Sequence, residues 1–214
     1  MQINFNYIIS KAYEILILQN NLNFPIDIFN LKTNFNIKIL SFSELSNISG
    51  YSINDIITLS DGSDAFKYEK DNVVLIVYND KIKNSNRIRW SIAHEYGHII
   101  LNHKDQTDQN EIEANFFAAN LLLPRCILKE LKSKRDYIDI NYLQNKFSIS
   151  KEASEKFFSN INSRGFEFFE NEYDDIILAK ADKFINNETM NSQKRELLYE
   201  EEMQIERDSW LYDN

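Results

Sequence analysis

The chain has 214 residues and a formal net charge of −9, and it contains four glycines, two prolines and one cysteine. This length supports one domain or slightly more with a substantial core, and the low glycine and proline counts argue against an all-β or loop-dominated fold. The single cysteine excludes an internal disulfide, and the acidic balance argues against non-specific nucleic-acid binding, which depends on neutralising phosphates.

Neither a secretory signal nor a membrane span is expected. Residues 1–20 lack a basic leader, and their longest apolar run, 15–18, is short and follows Glu14. The expected location is therefore the cytoplasm.

Two helices are predicted near the N-terminus. Apolar residues recur at helical spacing over 6–19, which predicts an amphipathic helix. Pro25 then precedes a second, short helix predicted over 26–33.

Three strands are predicted next. The alternation of Ile37 and Ile39 predicts a strand over 36–40. Residues 65–68 and 73–78 predict two more, joined as a hairpin through 70–72. The continuous apolar run at 73–77 is typical of a buried strand.

A long helix is predicted over 85–103, beginning at an Asn84 or Ser85 cap. It carries His-Glu-Tyr-Gly-His at 94–98. Histidines at i and i+4 lie on one helix face at a separation that suits two ligands of one tetrahedral Zn²⁺. Glu95 does not bind the metal in such a motif but serves as the general base. Gly97 is either a tolerated glycine or a point where another backbone approaches the helix.

The third metal ligand is expected downstream. A metzincin completion is excluded because Leu101 and Lys104 stand where that class needs glycine and histidine. His103 is a poor third ligand, since it points about 140° away from His98 on a continuous helix; it either sits at the helix end or lines the cleft.

The helix predicted over 111–124, which ends at Pro124, supplies a better ligand. Glu111 and Asn115 share one face of it. Glu111 is the expected ligand, and Asn115 would support it from behind. Glu113 is the alternative ligand, although it points about 160° away on a regular helix. Either acid could instead be a solvated group at the helix N-terminus.

The two segments together resemble the ImmA/IrrE family of metallopeptidases. The resemblance rests on Arg87-Ile-Arg-Trp-Ser-Ile-Ala-His-Glu-Tyr-Gly-His98 and on Glu111-Ile-Glu-Ala-Asn-Phe-Phe-Ala-Ala-Asn-Leu-Leu-Leu-Pro124. The family pairs an Ala-His-Glu-x-Gly-His helix with a Glu-x-[Glu/Gln]-Ala-[Asn/Asp]-x-Phe-Ala-Ala helix. Leu123 stands where methionine is usual, which is a volume-conserving change.

The resemblance implies that His94, His98 and Glu111 bind zinc and that Glu95 is the catalytic base. It also implies an α+β fold: a mostly helical zincin-like core over 1–135, with a small mixed or antiparallel sheet beside the motif helix. Arg87 is a further candidate for the cleft or for gating it.

Helical segments are predicted after this core. Residues 139–161 resemble a helix-turn-helix within a segment 136–165, with Ser150 capping the second helix. The lysines of that second helix are offset by glutamates, which favours a structural hairpin over DNA binding. The extension 166–214 is predicted to hold helices over 174–184 and 192–210. It carries most of the net charge, with twelve acidic and five basic residues from Asn171 onward.

The sequence therefore predicts a cytoplasmic zinc endopeptidase. The family resemblance implies a basic, DNA-binding substrate, a helix-turn-helix repressor whose cleavage induces a phage, mobile-element or stress regulon. Two alternatives are a partner-binding module that sequesters without cleaving, and a DNA-binding regulator acting through 139–161. Direct nucleic-acid binding is the less expected of these because the chain is acidic.

Overall fold

The computed structural model describes residues 3–70, 73–134, 138–162 and 170–212. The helices are α1 (Phe5–Ile17), α2 (Phe42–Ser49), α3 (Ile53–Leu59), α4 (Ser85–Ile100), α5 (Asp108–Leu122), α6 (Arg125–Lys134), α7 (Ile140–Phe147), α8 (Lys151–Asn162) and α9 (Asp174–Tyr212). The strands are β1 (Ile37–Ser41), β2 (Ala65–Lys70) and β3 (Val73–Tyr78). The predicted α+β class, mostly helical with a small sheet, is confirmed.

The sheet is mixed, with strand order β1-β3-β2. β1 runs parallel to β3, and β2 runs antiparallel to it in a register that pairs Lys67 with Ile76. Ile76 and Val77 of the central strand are fully buried, one on each face, because successive side chains alternate across a sheet. Because β3 is central in this strand order, β1 and β2 form the two edges of the sheet in the described part of the chain.

Helices cover both faces of this sheet. On one face Val77 packs with Phe42 of α2 and Ile56 of α3 in a small apolar cluster. On the other, Ile76 joins the main core, which includes Ile92 of α4 and buried residues from α1 and α5 to α9. α4 lies against both β2 and β3, while its outer side packs on α5. This arrangement holds the motif helix between the sheet and α5.

The predicted helical pair at 139–161 is present as α7 and α8. The Ser150 hydroxyl accepts a hydrogen bond from the Ala153 N–H at 3.1 Å, which confirms the predicted cap. Phe147, the last residue of α7, and Ile149 of the connecting turn are buried in the main core. The pair is thus packed into the fold. The boundaries predicted at 135/136 and 165/166 lie among residues that the structure does not describe, and so do residues 71 and 72 of the predicted hairpin turn.

No helix forms over residues 26–33, so that prediction is wrong. The Asp27 carboxylate accepts from the Phe29 N–H at 3.2 Å, and its carbonyl accepts from Asn30 at 3.3 Å. Such local bonds compete with helical ones. Ile26 and Ile28 are both buried, an alternation that fits an irregular extended segment better than a helix.

The two helices predicted in the tail form one continuous helix, α9, so the predicted break over 185–191 is wrong. That stretch contains neither proline nor glycine. Ile185 is buried in the core, and the buried Glu188 carboxylate binds Lys146 at 2.8 Å and the Tyr142 hydroxyl at 3.0 Å. Contacts with α7 therefore stabilise the helix where the sequence suggested an interruption.

Candidate metal centre

Helix α4 positions two histidines and a glutamate on neighbouring faces. Asn84, one of the two caps that the sequence predicted, caps its N-terminus by accepting from the Arg87 N–H. One face of this helix packs into the core and is buried. Its residues are Ile88, Ile92, Tyr96 and Ile99. The ligand face is consequently separate from the packing face, and both imidazoles are free to point toward α5.

Gly97 marks the closest approach of α4 to α5. A Cβ built at this position would lie 2.9 Å from the Ala114 Cα and 3.0 Å from the Ala114 carbonyl oxygen. The second of the two interpretations of this glycine is therefore correct. Only a glycine lets the α5 backbone come this near, and that proximity brings Glu111, one turn before Ala114, within reach of the histidines.

Three ligand atoms converge between the two helices. The His94 and His98 Nε2 atoms are 2.9 Å apart, and the Glu111 carboxylate oxygens lie 3.2 Å from the first and 3.3 Å from the second. Among the described residues, this is the cluster of His, Cys, Asp and Glu whose geometry could hold a metal ion. Ligands of a tetrahedral zinc ion at about 2.05 Å are separated by about 3.3 Å, so the spacing fits that ion.

The hydrogen bonds of Asn115 orient His94 for metal binding. The Asn115 amide nitrogen donates to the Glu111 carbonyl at 2.8 Å, which turns its side-chain oxygen toward His94 Nδ1 at 3.2 Å. Nδ1 must then carry the proton, and Nε2 presents a lone pair to the site. The lone pair of His94 Nε2 therefore faces the Glu111 carboxylate, which is also a hydrogen-bond acceptor. A cation bound between these two groups would stabilise the arrangement.

Both imidazoles are kept neutral by their surroundings. Burial lowers the pKa of His98 to about 4, and repulsion from His94 and His103 acts in the same direction. Burial also lowers the pKa of His94, although the Glu111 carboxylate opposes this. A metal-binding imidazole must be unprotonated, so the site is ready for a metal ion at neutral pH without losing protons from its rings.

Glu95 lies beside the ligand pair and against strand β2. Burial raises the pKa of its carboxyl to about 7, while a hydrogen bond from the Lys67 backbone N–H and the charge of Lys67 oppose the shift. A carboxyl that titrates near neutral pH is well matched to accepting and returning a proton.

Glu113 and His103 lie together on the far side of His98. α4 ends at Ile100 with Leu101 as its C-cap. Asn102 adopts a left-handed conformation with φ of 57°, and the His103 N–H donates to the His98 carbonyl at 2.9 Å. The expectation that His103 projects from a continuous helix is therefore wrong. Its side chain is buried, with Nδ1 3.1 Å from His98 Nδ1 and Nε2 3.2 Å from Glu113.

Arg87 lies at the rim of a cavity rather than at the ligand cluster. Its guanidinium is largely exposed and forms a two-contact ion pair with Asp64, with one contact at 2.8 Å. The cavity has a volume of about 770 Å³ and runs between α4, α5 and α8, starting at Asn115, the hydrogen-bond partner of His94. Its lining includes Arg87, Ser91, Ile112, Phe116, Lys156 and Phe157.

A comparison with protein-family models identifies the family of the chain. The M78 peptidase model, described as the IrrE N-terminal-like domain, matches residues 53–159, half of the chain. The chain belongs to the ImmA/IrrE metallopeptidase family. The match starts at α3 and ends inside α8, so it includes the sheet hairpin, the ligand helices and the helical pair. No curated protein matched the chain in a sequence comparison.

Two residues near the site escaped prediction. Lys67, on strand β2, contacts Glu95 through its backbone and the His103 carbonyl through its ammonium group at 2.5 Å. Gln109 donates to the Glu113 carboxylate at 2.8 Å. Neither belongs to the ImmA/IrrE motifs, and the strand-to-helix contact of Lys67 has no local sequence signal. Gln109 could have been found from its i,i+4 spacing to Glu113.

Within the ranges that the structure describes, no helix of this ImmA/IrrE family member combines the length and the apolar character that a bilayer crossing requires.

The raised pKa of Glu95 predicts a pH-dependent stability of the metal-free protein. The ordinary pKa of a glutamate carboxyl is 4.5, against about 7 for Glu95 in the fold, so between these values the folded state binds more protons than the unfolded chain. The free energy of unfolding should therefore fall as the pH rises from 4.5 to 7. Glu95→Gln removes the group whose ionisation lowers the stability. At pH 8 this variant should therefore have a free energy of unfolding up to about 3 kcal/mol higher than that of the parent protein.

Urea denaturation in the presence of a chelator measures this effect at pH 5 and pH 8. Glu172→Gln is the matched control. Glu172 is exposed, so this substitution should change the free energy of unfolding little at either pH. A gain from Glu95→Gln that is the same at both pH values would show that the Glu95 carboxyl does not titrate as described.

Proposed function

We propose that the protein is a zinc-dependent endopeptidase that cleaves a helix-turn-helix transcriptional repressor. The observation that supports peptidase activity most directly is the convergence of His94, His98 and Glu111 beside the partly buried carboxylate of Glu95. Membership of the ImmA/IrrE family supports the same reaction class.

The side chains divide the chemistry between them. His94 and His98 would hold zinc through Nε2, and Glu111 through its carboxylate. When bound, zinc polarises the scissile carbonyl and acidifies a water molecule. The Glu95 carboxylate takes the proton of the attacking water and delivers it to the leaving amine, the role of a general base.

Strand β2 offers a place for the substrate backbone. The Lys67 N–H points to Glu95 and hence away from β3. Because outward and inward groups alternate along a strand, the backbone groups of Ala65 and Glu69 lie on the same outer edge. An extended substrate segment added to this edge would pass close to Glu95.

The family resemblance and the charge of the chain support a repressor as the substrate. A repressor that binds DNA carries basic residues, and the net charge of −9 on this chain favours encounter with such a partner. Electrostatic attraction sets the association rate more than the affinity, so the rate should fall with added salt.

The test is incubation of the zinc-loaded protein with purified helix-turn-helix repressors from the same genome. We expect a shortened repressor on a denaturing gel, a defined pair of fragments by mass spectrometry, and no cleavage after a chelator is added. His94→Ala serves as the metal-site control. A complex that forms without shortening the repressor would identify a sequestering module and contradict the proposal.

A further inference from the structure

The structure places a second layer of hydrogen bonds behind His98. His98 Nδ1 lies 3.1 Å from His103 Nδ1, and His103 Nε2 lies 3.2 Å from Glu113 Oε2. Glu113 also accepts from the Gln109 amide at 2.8 Å. The four side chains form one chain of contacts that ends at the candidate metal ligand.

The carboxylate at the far end fixes the direction of these bonds. An ionised Glu113 can only accept, so His103 must carry its proton on Nε2 and donate it there. In a neutral His103 ring, Nδ1 then presents a lone pair, and His98 donates to it from its own Nδ1. His98 is left with an unprotonated Nε2, which is the atom that faces His94 and Glu111. The opposite direction would set a lone pair of His103 against the carboxylate.

The position of His103 is held by its backbone as well. Its N–H donates to the His98 carbonyl at 2.9 Å, and its carbonyl accepts from the Lys67 ammonium at 2.5 Å. The His103 side chain is only 6% exposed. Both the ring and the main chain are therefore constrained, and the ring can impose its hydrogen-bond direction on His98.

From this geometry we infer that Glu113 and His103 are positioning residues that orient His98 for zinc through a carboxylate–imidazole–imidazole relay. Asn115 does the same for His94 through a single contact. The inference rests on the metal site of the proposed function and is independent of the substrate. A histidine ligand whose second nitrogen is oriented in this way binds metal about 10- to 100-fold more tightly than one without that support.

Zinc affinity, measured by competition with a chromophoric chelator, tests the relay without any substrate. Glu113→Gln should raise the zinc Kd by about 10-fold or more, because an amide can donate to His103 and reverse the bonds. His103→Phe should have a similar effect. The zinc Kd of the double variant should be no higher than that of the single variant with the larger effect. Both residues act through the same bond to His98, so their effects should not multiply.

Asp108→Asn is the matched control, because Asp108 is an exposed acid in the first turn of the same helix, α5. It removes one negative charge without touching the relay, and its zinc Kd should change by less than about threefold. A Glu113→Gln effect no larger than that of Asp108→Asn, or losses that multiply in the double variant, would overturn the inference.

Nitrogen-15 spectra of the zinc-bound protein supply a readout that a merely structural role would not give. The chain has only three histidines, so the ring signals can be assigned by substitution. We expect His103 protonated at Nε2 and unprotonated at Nδ1, with scalar coupling between the two Nδ1 atoms across their hydrogen bond. The opposite tautomer of His103 would overturn the inference. Failure of the parent protein to bind zinc would instead overturn the proposed function.

Discussion

Replacing Glu95 by glutamine is expected to lower kcat/KM for repressor cleavage by about 10²- to 10⁴-fold, the range that a positioned general base contributes. Glutamine has nearly the same shape and can still accept the Lys67 N–H bond, but it cannot take a proton from water. Because Glu95 is outside the cluster of His94, His98 and Glu111, the variant should retain its zinc.

Cleavage rates and metal content must be measured on the same preparation. His94→Ala is the contrasting variant, since it should lose zinc and activity together, whereas Glu95→Gln should lose activity alone. Glu172→Gln, which alters an exposed glutamate remote in sequence from both motifs, should change neither. Cleavage by zinc-bound Glu95→Gln within tenfold of the parent rate would contradict the assignment of Glu95 as the base.

The shared face of the two histidines could be predicted from local periodicity, whereas the choice of Glu111 as their partner also rested on the resemblance to the ImmA/IrrE ligand helix. An i,i+4 pair on a helix has a fixed direction, and the downstream helix has the same property for Glu111 and Asn115. What local reasoning could not provide was the separation of the helices. Gly97 was compatible with two interpretations until Ala114 was placed 2.9 Å from its absent Cβ.

The positions of His103 and Lys67 could not be predicted for a different reason. A helix projection assigns directions only while the helix continues, and α4 ends at Ile100, after which Asn102 turns the chain back beneath His98. Lys67 reaches the site from strand β2, so its contact with Glu95 depends on how the sheet packs against α4. Both are consequences of tertiary structure that no spacing rule describes.

The errors outside the site have the same origin. The continuity of α9 depends on Ile185 and Glu188 packing against other helices, and the irregular path of 26–33 depends on burial of Ile26 and Ile28. Tertiary contacts outweighed a weak local preference, which contributes only a few tenths of a kcal/mol per residue, and over 26–33 the local hydrogen bonds of Asp27 act in the same direction.

Gly97→Val should have the largest effect on the fold of any single change near the site. The added carbon atoms would press on the Ala114 backbone and the Phe117 Cβ, and overpacking of this kind costs up to about 3 kcal/mol. Gly97→Ala should cost less, because alanine recovers about 1 kcal/mol of helix propensity relative to glycine. Both changes push α5 away from α4 and carry Glu111 away from the histidines.

Zinc affinity should consequently fall in both variants by about tenfold or more, since ligand distances tolerate changes of only about 0.2 Å. Urea denaturation measures the stability, and chelator competition measures the zinc affinity.

Ile177→Val, in the buried part of α9, is the matched control. It should cost about 1 kcal/mol of stability but leave zinc affinity unchanged. Trimming Ala114 to glycine should not rescue Gly97→Ala, because the contacts are with the Ala114 backbone. Rescue, or unchanged zinc affinity in Gly97→Ala, would show that the spacing of α4 and α5 does not position Glu111.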